Sequence, residues 1–421
     1  MLEQVNQYIW GSGLLVLLLG TGLLISVRTR FFQIFGIPTI LRSTFGRLFQ
    51  KKDGTAQWKT CSAALAAAMG TGNIVGVAAA LAAGGAGAVF WMWVSAFLGM
   101  MLTYAENLLA VRFCAAGDNR AVGALAYLQN GLHSRCLAGL YAVFCILASL
   151  GMGNMTQSSA AASALENGCH IPVSWTGVVL TGILLCTVLG GMRTIGNVTQ
   201  ILMPVLSGFY LLAAILVLFR YHTQIPEAVY QIFQGAWHPE AVGGGTLGTV
   251  IAVGLRHGIF SNEAGLGSSA MIHSHTPDAV TGQQGMWSMV EVFLDTMVCC
   301  TLTALVLLCT GTAGMDSIQG IITAFSSVFG TLAEPIISWV IALFALATLL
   351  GWCCCGEVAV RYLGDTRCVL GYRWVYCLAA GLGAVLELST VWTLSDIANG
   401  LMAIPNLLGI LLLFRKKYMD L

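Results

Sequence analysis

Two long apolar stretches of this chain are broken near their middles by glycines and polar side chains. One break is Gly70-Thr71-Gly72-Asn73; the other runs Gly258-Ile259-Phe260-Ser261-Asn262-Glu263-Ala264-Gly265-Leu266-Gly267. The stretches around them are long enough to cross a bilayer, for which a helix needs about 20 apolar residues. Lipid offers no partner to a freed backbone N–H or C=O, so a chain leaving the helix at that depth must line a protein-enclosed cavity. Two such breaks at corresponding places in two half-proteins point to the midplane solute site of a secondary transporter.

Composition agrees with a membrane setting. Of 421 residues, 57% are hydrophobic and 9% charged, with a mean hydropathy of +0.82; soluble domains carry about 25% charged residues. A net charge of +1 and the lack of a long basic run give no sign of a nucleic-acid partner. The cysteines, including Cys299-Cys300 and Cys353-Cys354-Cys355, are spaced neither as a zinc knuckle nor as a disulfide framework, and read as small packing residues. No Lys or Arg precedes Arg28 and no small-residue cleavage site follows, so the first apolar stretch is expected to be kept as a helix and not removed as a signal peptide.

The chain reads as an all-α polytopic protein with about eleven transmembrane helices. Their expected extents are 8–27, 60–81, 86–112, 137–164, 172–190, 197–219, 246–272, 284–311, 332–357, 372–388 and 393–414. Pro226 to Trp237 and Gly320 to Leu332 read as interfacial. Seventeen of the nineteen lysines and arginines then fall on one side, leaving only Arg220 and Arg256 elsewhere. Positive residues accumulate in cytoplasmic loops, so the N-terminus is expected outside and the C-terminus in the cytoplasm. Without the first helix, ten spans divide into five and five, each set beginning with a broken helix. An odd number of spans per set inverts the second against the first. The expected units are an extra helix with a basic cytoplasmic segment (1–58), a first five-helix repeat (59–222), an extracellular interfacial segment (223–245), and a second, inverted repeat with the tail (246–421).

In the first break, Gly70, Gly72 and Gly76 allow the helix to unwind. A half-helix starting near Asn73 turns unpaired N–H groups toward a carboxylate, and Thr71 and Asn73 add neutral polar groups. In the second, Ser261, Asn262 and Glu263 are consecutive, which suits an extended chain. A hydroxyl, an amide and free carbonyls make a hard oxygen cage that suits Na⁺ better than a transition metal. Phe260 is placed to close over a small ligand. Glu263, a carboxylate inside the membrane, needs a partner or a function; a structural pair with Arg256, seven residues earlier, is the alternative to a functional role. Gln157, within Gly151-Met152-Gly153-Asn154-Met155-Thr156-Gln157, suits a substrate contact or an interhelical hydrogen bond. Asp295 could supply charge to a cation site or bond a neighbouring helix; Glu106 and Glu291 are further intramembrane polar residues. Thr348 and Trp352, four residues apart, share a helix face and suit a pocket wall, though a lone Trp also serves packing. His273 and His275 read as too exposed and too close together for a metal site. No nucleophile–base pair, HExxH or nucleotide fingerprint stands out, so an enzyme is not expected, and no cofactor either.

At these residues the chain resembles the alanine or glycine:cation symporter family, the sodium:alanine symporters of bacteria and archaea. The resemblance runs through Gly70-Thr71-Gly72-Asn73-Ile74, the segment from Gly84 to Trp93, Gly153 to Gln157, Phe260-Ser261-Asn262-Glu263-Ala264-Gly265, Asp295-Thr296, Gly351-Trp352 and Met402-Ala403-Ile404-Pro405-Asn406. It implies a leucine-transporter-like fold of two inverted five-helix repeats in the plasma membrane, and Na⁺-coupled uptake of a small neutral amino acid by alternating access. Alanine and glycine are the implied substrates, with glutamine as an alternative and H⁺ as an alternative coupling ion. A sensor that binds without carrying is a further reading.

The resemblance also implies residue roles. Thr71 and Gly72 match backbone positions holding the substrate carboxylate, and Gln157 a polar wall. Phe260, Thr348 and Trp352 match the enclosure of the side chain. Asn73 and Ser261 match ligands of a sodium beside the substrate, completed by the Ala68 carbonyl, with Asp295 nearby. A second sodium would lie between carbonyls near Ala66 and Met69 and the helix carrying Thr348. The chain departs from the family pattern at Ala347, where a serine is usual, at Cys354 and Cys355, at His257 and at Ala86.

Overall fold

Backbone groups inside a bilayer must be satisfied within their own segment, and for an open chain only helices achieve this. The computed structural model describes residues 2–48, 54–114, 120–237, 246–274 and 282–415, and the regular structure there is helical throughout. Among the described residues, eight helical runs are long and apolar enough to cross a membrane, and Val75–Gly84 and Val173–Val188 are shorter apolar helices. This is a multi-pass membrane protein.

The N-terminal region forms α1 (Leu2–Ile9), α2 (Ser12–Arg28), α3 (Phe32–Phe35), α4 (Ile37–Ser43) and α5 (Phe45–Leu48). The expected first helix thus starts earlier than residue 8 and is divided at Gly11. The segment after it, read only as basic, folds into three short helices with exposed Phe35, Ile37 and Leu41; Lys51 and Lys52 lie outside the described residues. Next come α6 (Gly54–Ala68), a 3₁₀ turn at Thr71–Asn73, α7 (Val75–Gly84) and α8 (Gly87–Phe113). α9 (Ala124–Ala126) runs into a π-helical turn at Tyr127–Gly131. α10 (Arg135–Leu150) and α11 (Thr156–Cys169) are joined by a second π stretch, Gly151–Met155. α12 (Val173–Val188), α13 (Met192–Arg220) and α14 (Ile225–Trp237) follow.

The second part starts with α15 (Leu247–Asn262) and α16 (Ser268–His273). α17 (Gln283–Val292), a third π stretch at Phe293–Cys300 and α18 (Thr301–Thr310) make one long rod. α19 (Ser317–Phe329), α20 (Ala333–Leu363), α21 (Thr366–Val385) and α22 (Leu388–Arg415) complete the described chain. α19, expected at an interface, buries Ile318, Ile321, Ile322 and Phe325 against α7, α18 and α20.

α20 is the axis of the molecule, buried from Val340 through Val360 apart from Leu343, and packed on α6, α10, α11, α13 and α21. Apolar side chains gain little by leaving lipid for one another, so helix contact here depends on close packing of small residues. At Gly351 a side chain would come within 2.7 Å of the Ala67 backbone nitrogen. This contact presses α20 against the last turns of α6, beside the first break.

Candidate functional site

α6 ends at Ala68, and the chain runs extended through Gly70 (φ −125°, ψ −151°) into the Thr71–Asn73 turn before α7 begins. Side chains from distant helices satisfy the groups this frees. Gln157 Oε1 accepts from the Thr71 N–H (3.2 Å) and the Thr71 hydroxyl (2.8 Å), while its Nε2 donates to the Met152 carbonyl (3.2 Å). Asn73 Oδ1 accepts from the Gly70 N–H (3.2 Å).

Asn73 Nδ2 reaches across to the third π stretch and donates to the Asp295 carbonyl (3.1 Å) and to Asp295 Oδ1 (2.5 Å). Ser261 Oγ donates to Asp295 Oδ2 (2.6 Å), as does Thr296 Oγ1 (2.8 Å). Asp295 is fully buried, and every side-chain donor to it is neutral. The structure therefore brings Asn73, Ser261 and Asp295 together from three segments; Ala68 is the last residue of α6.

Phe260 packs against Gly72, where a Cβ would sit 3.3 Å from its Cδ1. Its ring stacks on Trp392 of α22, with ring centroids 4.6 Å apart and planes 15° from parallel. Trp392 is a site residue that the sequence reading missed. A single Trp in an apolar run carries no signal of its own, and its indole N–H is buried without a partner among the described residues. Thr348 faces Gly70 so closely that a Cβ on Gly70 would overlap its hydroxyl, and Thr348 Oγ1 has no hydrogen-bond partner among the described residues. Ala66 lies on the last turn of α6 and Met69 just past its end, where the Met69 N–H still bonds the Leu65 carbonyl (2.6 Å).

The second break differs from the expected one. Ser261 and Asn262 remain helical as the last residues of α15, and the chain leaves the helix at Glu263, whose φ is +56°. Gly265 (φ +88°) and Gly267 (φ +77°) supply the left-handed backbone that turns the chain into α16. The Glu263–Arg256 pair, the alternative to a functional role for Glu263, is not formed. Glu263 Oε1 accepts from the Trp352 indole (2.6 Å) and Oε2 from the Ser268 hydroxyl (2.5 Å), whereas Arg256 Nε lies 3.5 Å from Asp396 Oδ2. Trp352, fully buried, thus spends its one polar atom on this loop.

Three further side chains brace the loop. Glu106 Oε1 accepts from the Gly267 N–H (3.1 Å) and from Asn406 Nδ2 (2.6 Å). Asn406 Nδ2 also donates to the Gly265 carbonyl (2.8 Å) and its Oδ1 accepts from the Tyr127 hydroxyl; the Tyr141 hydroxyl donates to the Leu266 carbonyl (2.9 Å). His273 is buried, not exposed as expected, with its ring nitrogens on Gln284 Oε1 (2.8 Å) and the Glu291 carboxylate (3.0 Å); His275 lies outside the described residues. Among the described residues no three His, Cys, Asp or Glu side chains converge on a metal-sized space. What does converge at Asp295 is hydroxyl and carboxylate oxygen with the Asp295 backbone carbonyl, while Asn73 presents its amide nitrogen there and keeps its oxygen on the Gly70 N–H; hydroxyl, carboxylate and carbonyl oxygen suit a hard monovalent or divalent cation.

Comparison with known proteins shows what the chain as a whole is similar to. The family model described as sodium:alanine symporter family matches residues 1–421. The sodium/alanine symporter AgcS of Methanococcus maripaludis is 38% identical over 98% of this chain and 94% of its own length. The probable sodium/glutamine symporter GlnT of Bacillus subtilis is 31% identical over 97% of this chain and 87% of its own. Among solved structures, the Eremococcus coleocola manganese transporter in complex with an aromatic bis-isothiourea substituted compound superposes with a TM-score of 0.58. The two share 14% identity over 87% of this chain and 78% of that one, a likeness of fold alone.

Proposed function

Because this chain belongs to the sodium:alanine symporter family, whose members are transporters and not enzymes, we propose that it couples inward Na⁺ movement to uptake of alanine or glycine by alternating access. The observation that carries this reading is Asp295, a fully buried carboxylate at the junction of both broken helices whose side-chain donors are all neutral. Charge inside a membrane is costly unless compensated, and a sodium ion arriving there supplies the compensation. Asn73, Ser261, Asp295 and the Ala68 carbonyl form its first site. Ser261 donates its proton to Asp295 and keeps its oxygen lone pairs for the ion. The second sodium lies between the Ala66 and Met69 carbonyls and Thr348, whose hydroxyl has no protein partner to give up.

The substrate carboxylate docks on the backbone of Thr71 and Gly72, at the start of the turn leading into α7. Gln157, already bonded to Thr71, holds that turn in shape. Phe260, Thr348 and Trp352 enclose the side chain, and the close fit of Phe260 on Gly72 favours a small one. The architecture proposed is an extra helix followed by two inverted five-helix repeats (59–222 and 246–421), eleven spans in all. The N-terminus lies outside and the C-terminus inside a bacterial or archaeal plasma membrane.

A glutamine substrate is the second reading, favoured by the likeness to a probable sodium/glutamine symporter. Uptake into proteoliposomes, measured over a panel of amino acids with Na⁺ or with K⁺ in its place, separates the two. Alanine or glycine uptake that collapses without Na⁺ is the expected result. Uptake that is indifferent to Na⁺, with Asn73→Ala and Ser261→Ala proteins behaving like the parent, rejects the cation assignment.

A further inference from the structure

A groove of about 460 Å³ opens beside the short N-terminal helices. Ile37 and Leu41 of α4 line it together with Met100 of α8, Met289 of α17, and Phe293 and Met297 of the π stretch that carries Asp295. Several of these side chains are exposed at the surface of a membrane-embedded molecule (Ile37, Leu41, Phe293), so the groove faces lipid.

One lining residue does not fit an apolar groove. Gln33 is 5% exposed; its Nε2 donates to Ser26 Oγ (2.9 Å), and its Oε1 has no donor among the described residues. The amide cannot simply be turned over. The Ser26 hydroxyl proton is already given to the Gly22 carbonyl (2.7 Å), so Ser26 can only accept, and Gln33 must face it with nitrogen. A carbonyl oxygen is left buried at the groove, in need of an N–H or O–H.

Depth says what can supply it. Arg28 ends α2, Gln33 follows five residues later, and the exposed Arg30 and Arg42 flank this level. Basic residues that close a spanning helix sit at the headgroup layer. Arg42, exposed on the same short helix as the groove-lining Ile37 and Leu41, is a basic group of this region, and a guanidinium pairs with phosphate.

We propose that this groove binds a phospholipid with a primary-ammonium headgroup, such as phosphatidylethanolamine. The acyl chain fills the groove, the ammonium donates to Gln33 Oε1, and the phosphate pairs with Arg42. A choline headgroup offers the same phosphate and chains but no N–H, so the site discriminates by the headgroup donor. The inference rests on membrane embedding and is independent of which amino acid or ion the protein carries.

The test uses the full-length protein in detergent, titrated with phosphatidylethanolamine or with its trimethylated counterpart of identical chains, and read by native mass spectrometry. One charge-assisted hydrogen bond corresponds to about tenfold or more in affinity, so half-retention of the ethanolamine lipid should come at about one-tenth the concentration of the choline lipid. Gln33→Met should erase that difference, and Arg42→Gln should weaken both lipids alike. Leu41→Trp, placed at a half-exposed position so that the core is left alone, should fill the groove and release both. Equal retention of the two lipids by the parent overturns the proposal. So does a preference that survives Gln33→Met, or ethanolamine-lipid binding by Leu41→Trp at the parent level.

Discussion

Gly70→Ala is the sharpest probe of the first break. The Gly70 φ of −125° lies outside the left-handed region, so the cost of a side chain there is steric and not torsional. The added Cβ would overlap Thr348 Oγ1, and would sit 3.1 Å from Gln157 Oε1 and 3.2 Å from Thr348 Cβ. For normal contact the hydroxyl has to move by about 1 Å. Thr348 is β-branched and stiff at χ1, and α20 cannot retreat without losing the Gly351–Ala67 contact. Overpacking of this kind costs about 1–3 kcal/mol, equivalent to roughly fivefold to 150-fold in the population of the closed packing. Thr348→Ala removes the overlapping oxygen and breaks no protein hydrogen bond, so the double variant Gly70→Ala/Thr348→Ala should recover most of the loss. Thermal unfolding in detergent reads this packing. Na⁺-dependent uptake reads something else, because the double variant lacks the hydroxyl assigned to the second sodium. Recovered stability with unrecovered uptake is the expected pattern. A Gly70→Ala protein with parental unfolding temperature, or a double variant no more stable than the single one, refutes the packing on which the argument rests.

Other positions give more direct readings. Gly72→Ala needs the Phe260 ring to give by a few tenths of an ångström and should lower uptake modestly, whereas Gly72→Leu should abolish it; a fully active Gly72→Leu protein removes the substrate from this turn. Asp295→Asn takes the charge from an acceptor of three side-chain donors, a loss of about 1.5–3 kcal/mol per charged bond. The Na⁺ concentration for half-maximal uptake should rise at least about tenfold, and Ser261→Ala, which removes one donor, should raise it less. Arg373 holds the buried Glu357 carboxylate through bonds of 2.7 and 2.9 Å. Arg373→Met strands that carboxylate and should destabilise the protein by about 3–5 kcal/mol, visible as a lowered unfolding temperature that the further change Glu357→Gln partly restores.

Much of this site was legible because lipid leaves few interpretations open. A glycine-rich polar break in an apolar run had to be enclosed by protein, and Gly70 to Asn73 is enclosed by Gln157, Thr348 and Asp295. Asn73, Ser261 and Asp295 were each visible as intramembrane polar residues, and the structure brings all three into one cluster. What the chain hides is which polar residue meets which. Arg256 seemed the natural partner of Glu263 because it lies two turns earlier on the same helix, but two turns separate Cα atoms by about 10.5 Å. The real partner, Trp352, is 89 residues away in sequence. The start of the second break was misjudged for a related reason. Consecutive polar residues suggested an extended chain, whereas the helix ends only where Glu263, Gly265 and Gly267 adopt positive φ. The short helices α3 to α5 escaped notice because four to seven residues are too few to establish a period.

The π stretches were equally invisible, yet they explain how the breaks are tolerated. A π turn adds one residue to a helix and leaves the flanking periodicity intact, so no hydrophobic pattern announces it. Its effects are local: the side chains after it are rotated relative to those before it, and a carbonyl is released from the regular ladder. Each of the three π stretches described here does this next to a broken helix. Gly151–Met155 precedes Gln157, whose amide bonds the Met152 carbonyl at one end and Thr71 at the other. Phe293–Cys300 contains Asp295, turned to Asn73 and Ser261. Tyr127–Gly131 begins with the tyrosine that bonds Asn406, which in turn holds the Gly265 carbonyl. The unwound segments thus receive polar partners from helices that are themselves locally distorted. Unwinding alone would strand N–H and C=O groups in a medium without water, and regular neighbours would aim their polar side chains along fixed helical stripes. Pairing each break with an irregular neighbour lets loosened backbone persist at depth while the surrounding helices still present apolar surface to lipid.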